Sequence, residues 1–346
     1  MGAIWYLATF VLMGTCYGAF FLQGPWVWAP VVLVFGIVPI LETLPFLSRD
    51  VNNPTDERTL GQSTIFSDLL NAAVIFQCGL IGMLLIEASR SQNLLQLSGL
   101  IISTGLACGV YGINVGHELG HRADSFSQRM ARLSLATSLY AHFFVEHNLG
   151  HHRNVATELD PASSRRGEWL YTFWIRSIVM GYISAWKISA KRTRDRGHAF
   201  ISIHNTMLVD QTLQAVFLVG IALFLGTLPL LAFLLSALIG ILLLETVNYI
   251  EHYGLSRQRT GDRYERVRPQ HSWNSNHIIG RLFLFNLPRH SDHHAWASRK
   301  YQILRHFDDS PQLPAGYPAM LMLAVLPPLW IPIMNARVDS LDHVVS

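Results

Sequence analysis

Six long apolar runs constrain the fold of this chain more than any other feature. An α-helix of about 20 residues is needed to cross about 30 Å of hydrocarbon, and most of the runs reach that length. Only 14% of the 346 residues are charged, against about 25% in an average soluble domain. We therefore predict an all-α integral membrane protein with a bundle of six transmembrane helices. The predicted spans are residues 3–22, 27–47, 64–86, 97–116, 210–225 and 227–250.

The two ends of this pattern need separate interpretation. No basic stretch precedes the first run, so we expect a spanning helix there and not a cleaved signal peptide. The fifth and sixth runs are predicted to form a tight hairpin around Gly226, Thr227 and Pro229. A late run, 320–334, contains the pair Pro327–Pro328. Because two prolines interrupt it, we expect this run to lie at the interface or to pack on the bundle.

The basic residues are distributed asymmetrically about the six spans. Six crossings place both termini on one side, together with segments 48–63, 117–209 and 251–346. Of the 26 Lys and Arg residues, 25 fall on that side, and only Arg90 falls on the other. Lys and Arg are enriched in cytoplasmic loops. We therefore predict a multi-pass protein of the inner membrane, with its termini and a helical cap facing the cytoplasm.

Sixteen histidines are many for this length, and nine of them have the spacing of metal ligands. Residues four apart share one face of an α-helix, so His117/His121 and His147/His151 are each expected to bind one metal. Adjacent residues point about 100° apart, so the doublet at 151–152 and the doublet at 293–294 can each serve two metals. The clustered histidines are His117, His121, His147, His151, His152, His252, His290, His293 and His294.

This count is too high for one ion and fits a two-metal site in the cap. Imidazole suits zinc, copper, iron and nickel alike, so spacing leaves the metal open. The other histidines are interpreted as interfacial or hydrogen-bonded residues: His142, His198, His204, His271, His277, His306 and His343. Cys16, Cys78 and Cys108 all lie in apolar stretches, which excludes a disulfide framework or a cysteine metal centre.

Two familiar motifs overlap the first histidine pair. Residues 117–121 read HELGH, which fits the H-E-x-x-H motif of zinc proteases. Such proteases need three protein ligands and one water, so the remaining clusters would be surplus. Glu118 and His121 also fit the Glu-x-x-His unit of ferritin-like di-iron bundles, but a second unit of that kind is missing. We therefore interpret Glu118 as a residue that supports the ligands.

Around the histidines the chain resembles the membrane-bound alkane 1-monooxygenases, within the fatty-acid desaturase and hydroxylase superfamily. Three histidine boxes, residues 117–121, 147–152 and 290–294, fit the superfamily. Residues 146–161 read EHNLGHHRNVATELDP, 248–255 read NYIEHYGL and 287–295 read LPRHSDHHA, and these segments are more specific to the alkane hydroxylases. Residues 301–305 and 327–330 also fit. The resemblance covers residues 30 to 332, and we treat 1–346 as a single membrane-embedded domain.

The resemblance implies a terminal hydroxylation of n-alkanes to 1-alkanols at two irons. All nine clustered histidines are implied as ligands. It further implies O2 as oxidant and reduced rubredoxin as electron donor, itself reduced by an NAD(P)H-dependent reductase. Apolar alkane is expected to reach the site from the bilayer, where it partitions.

Carboxylates near the boxes are candidates for orienting the imidazoles, since a ligating histidine usually donates its second N–H to a carboxylate or carbonyl. The candidates are Asp292, Glu251, Glu118, Glu146 and Asp160. Each is equally suited to pair with one of the many arginines.

A basic stretch has two compatible interpretations: contact with membrane lipid headgroups or docking of an acidic electron carrier. It comprises Lys187, Lys191, Arg192, Arg194 and Arg196. No motif indicates nucleic-acid binding.

Three other functions remain open at the level of sequence. The first is another superfamily enzyme, a fatty-acyl desaturase or an aromatic side-chain monooxygenase. The second is a zinc membrane protease built on His117, Glu118 and His121. The third is a non-catalytic metal-binding or transport protein.

Overall fold

The computed structural model describes residues 2–48 and 50–345, with residues 46, 48 and 342–345 described by their backbone alone. Within this part of the chain the architecture is helical apart from one hairpin of two short strands, β1 (Arg259–Thr260) and β2 (Arg263–Tyr264). The main helices are, in chain order, α1 (Ala3–Leu22), α2 (Gly24–Glu42), α3 (Ile65–Arg90), α4 (Leu94–Gly120), α5 (Ser125–Ala136), α6 (143–154), α7 (Leu170–Asp195), α8 (Thr206–Phe224), α9 (Thr227–His252), α10 (Ile278–Phe283), α11 (His290–Ala295), α12 (Tyr317–Ala324) and α13 (Pro327–Val345).

Six of these helices are long and apolar enough to cross a membrane: α1, α2, α3, α4, α8 and α9. The six predicted spans are thus confirmed as helices, with ends that shift by a few residues. Helix α4 begins at Leu94 because Asn93 caps it, its side chain accepting from the backbone N–H of Gln96 at 3.1 Å. Helix α8 begins at Thr206, four residues before the predicted boundary at Asp210, because Asn205 caps it, its side chain accepting from the backbone N–H of Leu208 at 3.4 Å.

The late apolar run is broken as expected. Helices α12 and α13 meet at 120°, and the second begins at the Pro327–Pro328 pair, where backbone N–H donors are missing. Helix α12 packs its buried face, including Tyr317 and Leu321, in the cluster that also contains Tyr249 and Trp330. The run therefore closes the bundle around the C-terminal end of α9.

Small residues let α4 and α9 cross closely. A Cβ added to Gly105 or Gly109 would lie 2.6 Å from a side-chain atom of Ile239 or Leu243, and one added to Gly240 would lie 2.5 Å from Cys108 Cβ. Backbones that approach this closely gain van der Waals contact where apolar driving force between helices is weak. This crossing fixes the ends of α4 and α9, from which three of the clustered histidines arise.

Helix α5 belongs to the bundle more than to a cap above it. It runs back alongside α4: a Cβ at Gly116 would lie 2.8 Å from Leu135 Cγ, and one at Gly112 would overlap Ser138. The Ser138 hydroxyl donates to the carbonyl of Cys108 at 3.0 Å. Cys108 precedes His117 by nine residues, on the order of 13 Å along a helix. The prediction that segment 117–209 belongs to the cap is therefore wrong for the first part of the segment, which packs beside the spans.

Candidate metal centre

The nine clustered histidines converge from four helices at one end of the bundle. They form two groups, and within each group one ring nitrogen per residue lies within 4.8 Å of all the others. The first group is His117, His121, His147, His152 and His293, and the second is His151, His252, His290 and His294. Helices α4, α6, α9 and α11 supply all of them from their ends or short turns.

The pairing of His147 with His151 on one metal was the wrong expectation. Residues His147–His151 form a π-turn, whose repeat is five residues, so His152 and not His151 shares a face with His147. The Nε2 atoms of His147 and His152 are 2.9 Å apart. His151 is turned into the second group, where its Nε2 lies 3.2 Å from that of His294.

Both adjacent doublets divide between the groups, as predicted from helical geometry. His151 and His152 belong to different groups, and so do His293 and His294. His117 and His121, which are four residues apart at the end of α4, stay together. The local α-helix explains this difference from His147 and His151.

The donor set fits a pair of cations. Imidazole nitrogens that face one another at 2.9 Å, as His117 and His293 do, or at 3.3 Å, as His252 and His290 do, present several lone pairs to one point. Burial lowers the pKa of His121 to about 3. It also lowers the pKa of His293 and His294 well below the usual value, and neighbouring imidazoles lower it further. Such rings are neutral at pH 7, which is the form that binds metal.

Asp160 is the candidate carboxylate that contacts a clustered imidazole through the nitrogen remote from the metal position. Its Oδ2 accepts from His151 Nδ1 at 2.8 Å and from the Ser163 hydroxyl at 2.5 Å. Burial alone lowers the pKa of His151, but the charge and hydrogen bond of Asp160 outweigh burial and raise it. The proton on Nδ1 leaves Nε2 directed toward the second group.

Glu251 lies beside the second group by a different geometry. Its Oε2 is 3.0 Å from His290 Nε2, and its Oε1 accepts from the Tyr317 hydroxyl at 2.6 Å. Burial and the neighbouring carboxylate raise the pKa of Tyr317 well above its usual value, so this phenol stays a donor.

Asp292 holds the third histidine box in place through arginines and not through an imidazole. Its Oδ2 accepts from the backbone N–H of Arg305 at 2.8 Å, and Arg299 Nε lies 3.1 Å away. Arg289, which is 1% exposed, donates to the carbonyls of Leu304 and Asn52 at 2.7 and 2.8 Å. The box is therefore anchored to the segments on both sides of it.

The other two candidate carboxylates also avoid direct contact with a ring. Glu118 accepts from Arg122 at 2.6 Å and from the backbone N–H of Tyr301 at 3.2 Å. Glu146 is buried, and its Oε1 has no hydrogen-bond partner among the described residues. Burial and the charge of Asp160 raise the pKa of Glu146 to about 8.

Comparison of the sequence with known proteins shows the family to which this chain belongs. Residues 92–324 match the family model described as fatty acid desaturase. Alkane 1-monooxygenase 2 of Pseudomonas aeruginosa is 41% identical over 322 residues, which cover 91% of this chain and 85% of that protein. The alkane 1-monooxygenase of Acinetobacter baylyi is 40% identical over 321 residues, covering 89% and 76%. The chain belongs to the alkane 1-monooxygenase family, within the fatty acid desaturases.

A more distant relative has a different named activity. The xylene/toluene monooxygenase hydroxylase component of Pseudomonas putida is 30% identical over 321 residues, covering 90% of this chain and 82% of that protein. The membrane monooxygenase described here is thus an oxidoreductase, and it is more similar to the alkane 1-monooxygenases named above.

Glu245 is a buried carboxylate of this monooxygenase that the sequence-based predictions did not include among the candidate residues. Glu245 lies within α9 and accepts from the hydroxyls of Tyr140 and Ser177, each at 2.5 Å, and from the Asn248 amide at 3.4 Å. With Glu146 it lines a small polar cavity that also touches two of the clustered histidines. A charged residue inside an apolar run is itself a signal of function, and it could have been found by that rule.

The histidines that the sequence analysis set aside lie outside both groups, as far as their side chains are described. His142 packs against the rings of Tyr140 and Tyr182, and His198 stacks on His204 with ring centroids 3.8 Å apart. His271 contacts Glu265, and His306 contacts Asp308. Ser275 and the His277 ring lie 2.9 Å apart. His343 lies outside the described side chains.

Two further cavities lie near the centre. A narrow apolar cavity of about 50 Å³ runs between α2, α4, α9 and α12, with Val247, Leu287 and Tyr317 in its walls. A wider polar cavity of about 560 Å³ opens beside His121 and is lined by Arg122, among others. The polar cavity thus reaches a clustered histidine, whereas the walls of the apolar one contain none of the nine.

Proposed function

We propose that the protein is a non-haem di-iron monooxygenase that hydroxylates the terminal methyl of n-alkanes to 1-alkanols. The observation that carries the proposal is the pair of buried histidine groups, in a chain 41% identical to proteins named alkane 1-monooxygenase. The net reaction consumes one alkane, one O2, two electrons and two protons, and yields one alkanol and one water.

All nine clustered histidines are proposed as iron ligands, five for one ion and four for the other. Iron would supply the electron transfer to O2 that an unactivated C–H bond demands, since acid–base groups alone cannot oxidise it. Burial keeps His121, His293 and His294 neutral. Asp160 fixes His151, and Glu251, Glu118, Glu146 and Asp292 are proposed to support the ligands from outside.

The apolar cavity is proposed to hold the alkane chain and to exclude water from it. Val247 and Leu244 lie one or two turns before His252 on α9, so a chain threaded between α2, α4 and α9 ends near the second group. The cavity is narrow, and we expect its side chains to move apart when an alkane enters from the bilayer.

Electrons are proposed to reach the centre through the polar cavity beside His121 from reduced rubredoxin. A rubredoxin reductase would then reduce the rubredoxin again. The polar cavity beside His121 is lined by Arg122, Arg192 and Arg196, and complementary charge speeds the encounter with an acidic carrier. Two members of the basic stretch thus face the centre. The rest of the stretch is proposed to contact lipid headgroups.

The location follows from the distribution of charge. By the order of the spans, 25 of the 26 Lys and Arg residues belong to the segments on the same side as the clustered histidines, which favours the cytoplasmic side of the inner membrane. The rubredoxin and reductase would then meet the centre in the cytoplasm.

The rival functions differ in their fit to the site. A zinc protease would use Glu118 as its base, but Glu118 is bonded to Arg122 and to the backbone of Tyr301, and His117 and His121 lie in a five-histidine group. Oxidation of an aromatic side chain is favoured by one relative at 30% identity. Desaturation of an acyl chain is the activity that the family's description names.

Product analysis tests the proposal. Membranes containing the full chain are supplied with rubredoxin, its reductase, NADH and either octane or hexadecane, and the products are separated by gas chromatography. We expect 1-alkanols, about two irons per chain, and loss of product in His151→Ala and His293→Ala. His198→Ala, which changes a histidine outside both groups, is the control. An alkene or a benzylic alcohol as the product of the matching substrate, or full turnover in both ligand variants, would contradict the proposal.

A further inference from the structure

A further cavity, larger than those described above, lies away from the metal centre. It has a volume of about 680 Å³ and is bounded by α3, α5 and α8. Its walls are mostly apolar, with Ile81, Gly82 and Leu85 on one side and Leu213 and Phe217 on the other. None of the nine clustered histidines lines it, so its occupant is not held at the reacting atoms.

This groove opens between two spanning helices. Leu213 and Phe217 at its edge are 61% and 44% exposed, whereas Ile81 and Leu85 at its base are buried. From Cys78 to Leu85 it follows α3 for about 10 Å. Because α3 and α8 are both long and apolar enough to span a membrane, we expect a groove between them to face the acyl chains of the bilayer.

The end of the groove nearest the metal centre is polar. Arg132 is bonded to Asp210, with its Nε 2.9 Å from Oδ1. Arg129 also lines the groove, and no carboxylate of the described chain pairs with it. Gln214 is 8% exposed, and its Nε2 finds no acceptor in the part of the chain that is described.

A polar group buried in a spanning helix, such as the Gln214 amide, needs a hydrogen-bond partner. Since hydrocarbon offers none, an unpaired amide N–H favours a ligand that brings an acceptor. Asp210 neutralises Arg132, although its Oδ2 remains without a donor. Arg129 therefore leaves the polar end with a net positive charge. An acyl chain, an ester carbonyl and a negative headgroup in one molecule match the three parts of the groove.

We propose that the groove binds one anionic phospholipid of the surrounding leaflet. One acyl chain lies along Gly82 and Phe217, an ester carbonyl accepts from Gln214, and the phosphate meets Arg129. Binding of the lipid ties α5 and α8 to α3, and it does not depend on what the metal centre does.

Native mass spectrometry of the full-length protein tests the proposal. The protein is released from bilayers that contain equal amounts of phosphatidylglycerol and phosphatidylcholine with matched acyl chains. We expect one retained phosphatidylglycerol, with about a fivefold preference, the ratio that corresponds to about 1 kcal/mol for one basic residue near an anionic lipid.

Two matched pairs of variants separate the parts of the site. A Cβ added at Gly82 meets nothing within 4 Å, and Gly82 lines the groove, so we expect Gly82→Leu to fill the groove and the lipid to be lost. Gly18 in α1 also has open space around its Cβ position, and Gly18→Leu should retain the lipid. Arg129→Gln should keep a lipid but abolish the preference, whereas Arg58→Gln, at an exposed site outside the groove, should leave it unchanged.

Three results would overturn the proposal. The first is equal retention in Gly82→Leu and Gly18→Leu. The second is the absence of preference between the two lipids in the unaltered protein, which would mean ordinary boundary lipid. The third is retention of a 1-alkanol in place of a phospholipid when both are offered, which would make the groove a site for the proposed product.

Discussion

At the residue scale, one hydrogen bond determines which ring nitrogen of His151 faces the second histidine group. Asp160 accepts from Nδ1 of His151 at 2.8 Å and thereby leaves Nε2 free to face the second group. Both side chains are buried, so water cannot replace the contact. This contact makes Asp160 the carboxylate whose removal has the clearest expected effect.

We expect Asp160→Asn to weaken metal retention by the second group. Loss of a carboxylate that orients a ligating imidazole lowers affinity by about 10- to 100-fold. The measurement is iron per chain after dialysis against a graded chelator. Asp195→Asn is the control, because Asp195 pairs with Lys191 at an exposed site. Equal retention in the two variants would contradict the proposed role.

The pH dependence of stability is expected to depend partly on His142. Burial lowers its pKa to about 4, so the folded state keeps it neutral while the unfolded chain takes up a proton below about pH 6.5. Its contribution is therefore present above pH 6.5 and is lost as the pH falls toward 4. At pH 5 the loss is on the order of 2 kcal/mol.

A titrating residue can be replaced to test this contribution. We expect metal-free His142→Gln to lose less thermal stability between pH 8 and pH 5 than the unaltered protein, as measured by the unfolding midpoint in detergent. His198→Gln is the control, since His198 is partly exposed. Parallel pH profiles for His142→Gln and the unaltered protein would show that His142 contributes nothing.

The sequence predicted the participants of the site better than their partners. Spacing and resemblance together picked the nine histidines that converge, because ligands recur at helical intervals. The hydrogen bonds of Glu245 with Tyr140 and Ser177 join residues far apart in the chain, and no local pattern indicates them. For Asp292 the sequence left open an imidazole or an arginine as partner, and its position next to Arg299 and Arg305 depends on tertiary packing.

At the element scale, helix type proved harder to predict than helix position. The apolar runs located α1 to α4, α8 and α9, since length and hydrophobicity are local properties. Because residues His147–His151 form a π-turn, His147 shares a group with His152 and not with His151. A prediction that assumes the α-helical repeat cannot reveal such a turn. The descent of α5 beside α4 was missed for a related reason, because its glycine contacts are tertiary.

The α4–α9 crossing should tolerate little added volume. We expect Gly240→Leu to lower the unfolding midpoint strongly and to reduce bound iron, because its Cβ would already lie 2.5 Å from Cys108 Cβ. Gly220→Leu in α8 is the matched control, since a Cβ there meets nothing within 4 Å. Similar midpoints in the two variants would mean that α4 and α9 separate without penalty.

At the scale of the whole molecule, the histidine end of the bundle is proposed to face the cytoplasm. Single cysteines introduced at Gly226, in the turn between α8 and α9, and at Gln258, beyond α9, lie at opposite ends of the bundle by the order of the spans. In intact cells freed of their outer membrane we expect a membrane-impermeant maleimide to label Gly226→Cys alone. Labelling of Gln258→Cys before the membrane is opened would reverse the proposed orientation.

The two doublets, 151–152 and 293–294, carry a consequence for how the centre assembles. In each doublet one peptide unit links a ligand of one group to a ligand of the other, and the Cα atoms of such neighbours are only about 3.8 Å apart. An ion bound in either group would thus fix one histidine of each doublet. The neighbouring histidine would then be held in place for an ion in the other group. Titration of the metal-free protein with ferrous iron should yield mainly empty and doubly loaded molecules, with few singly loaded ones.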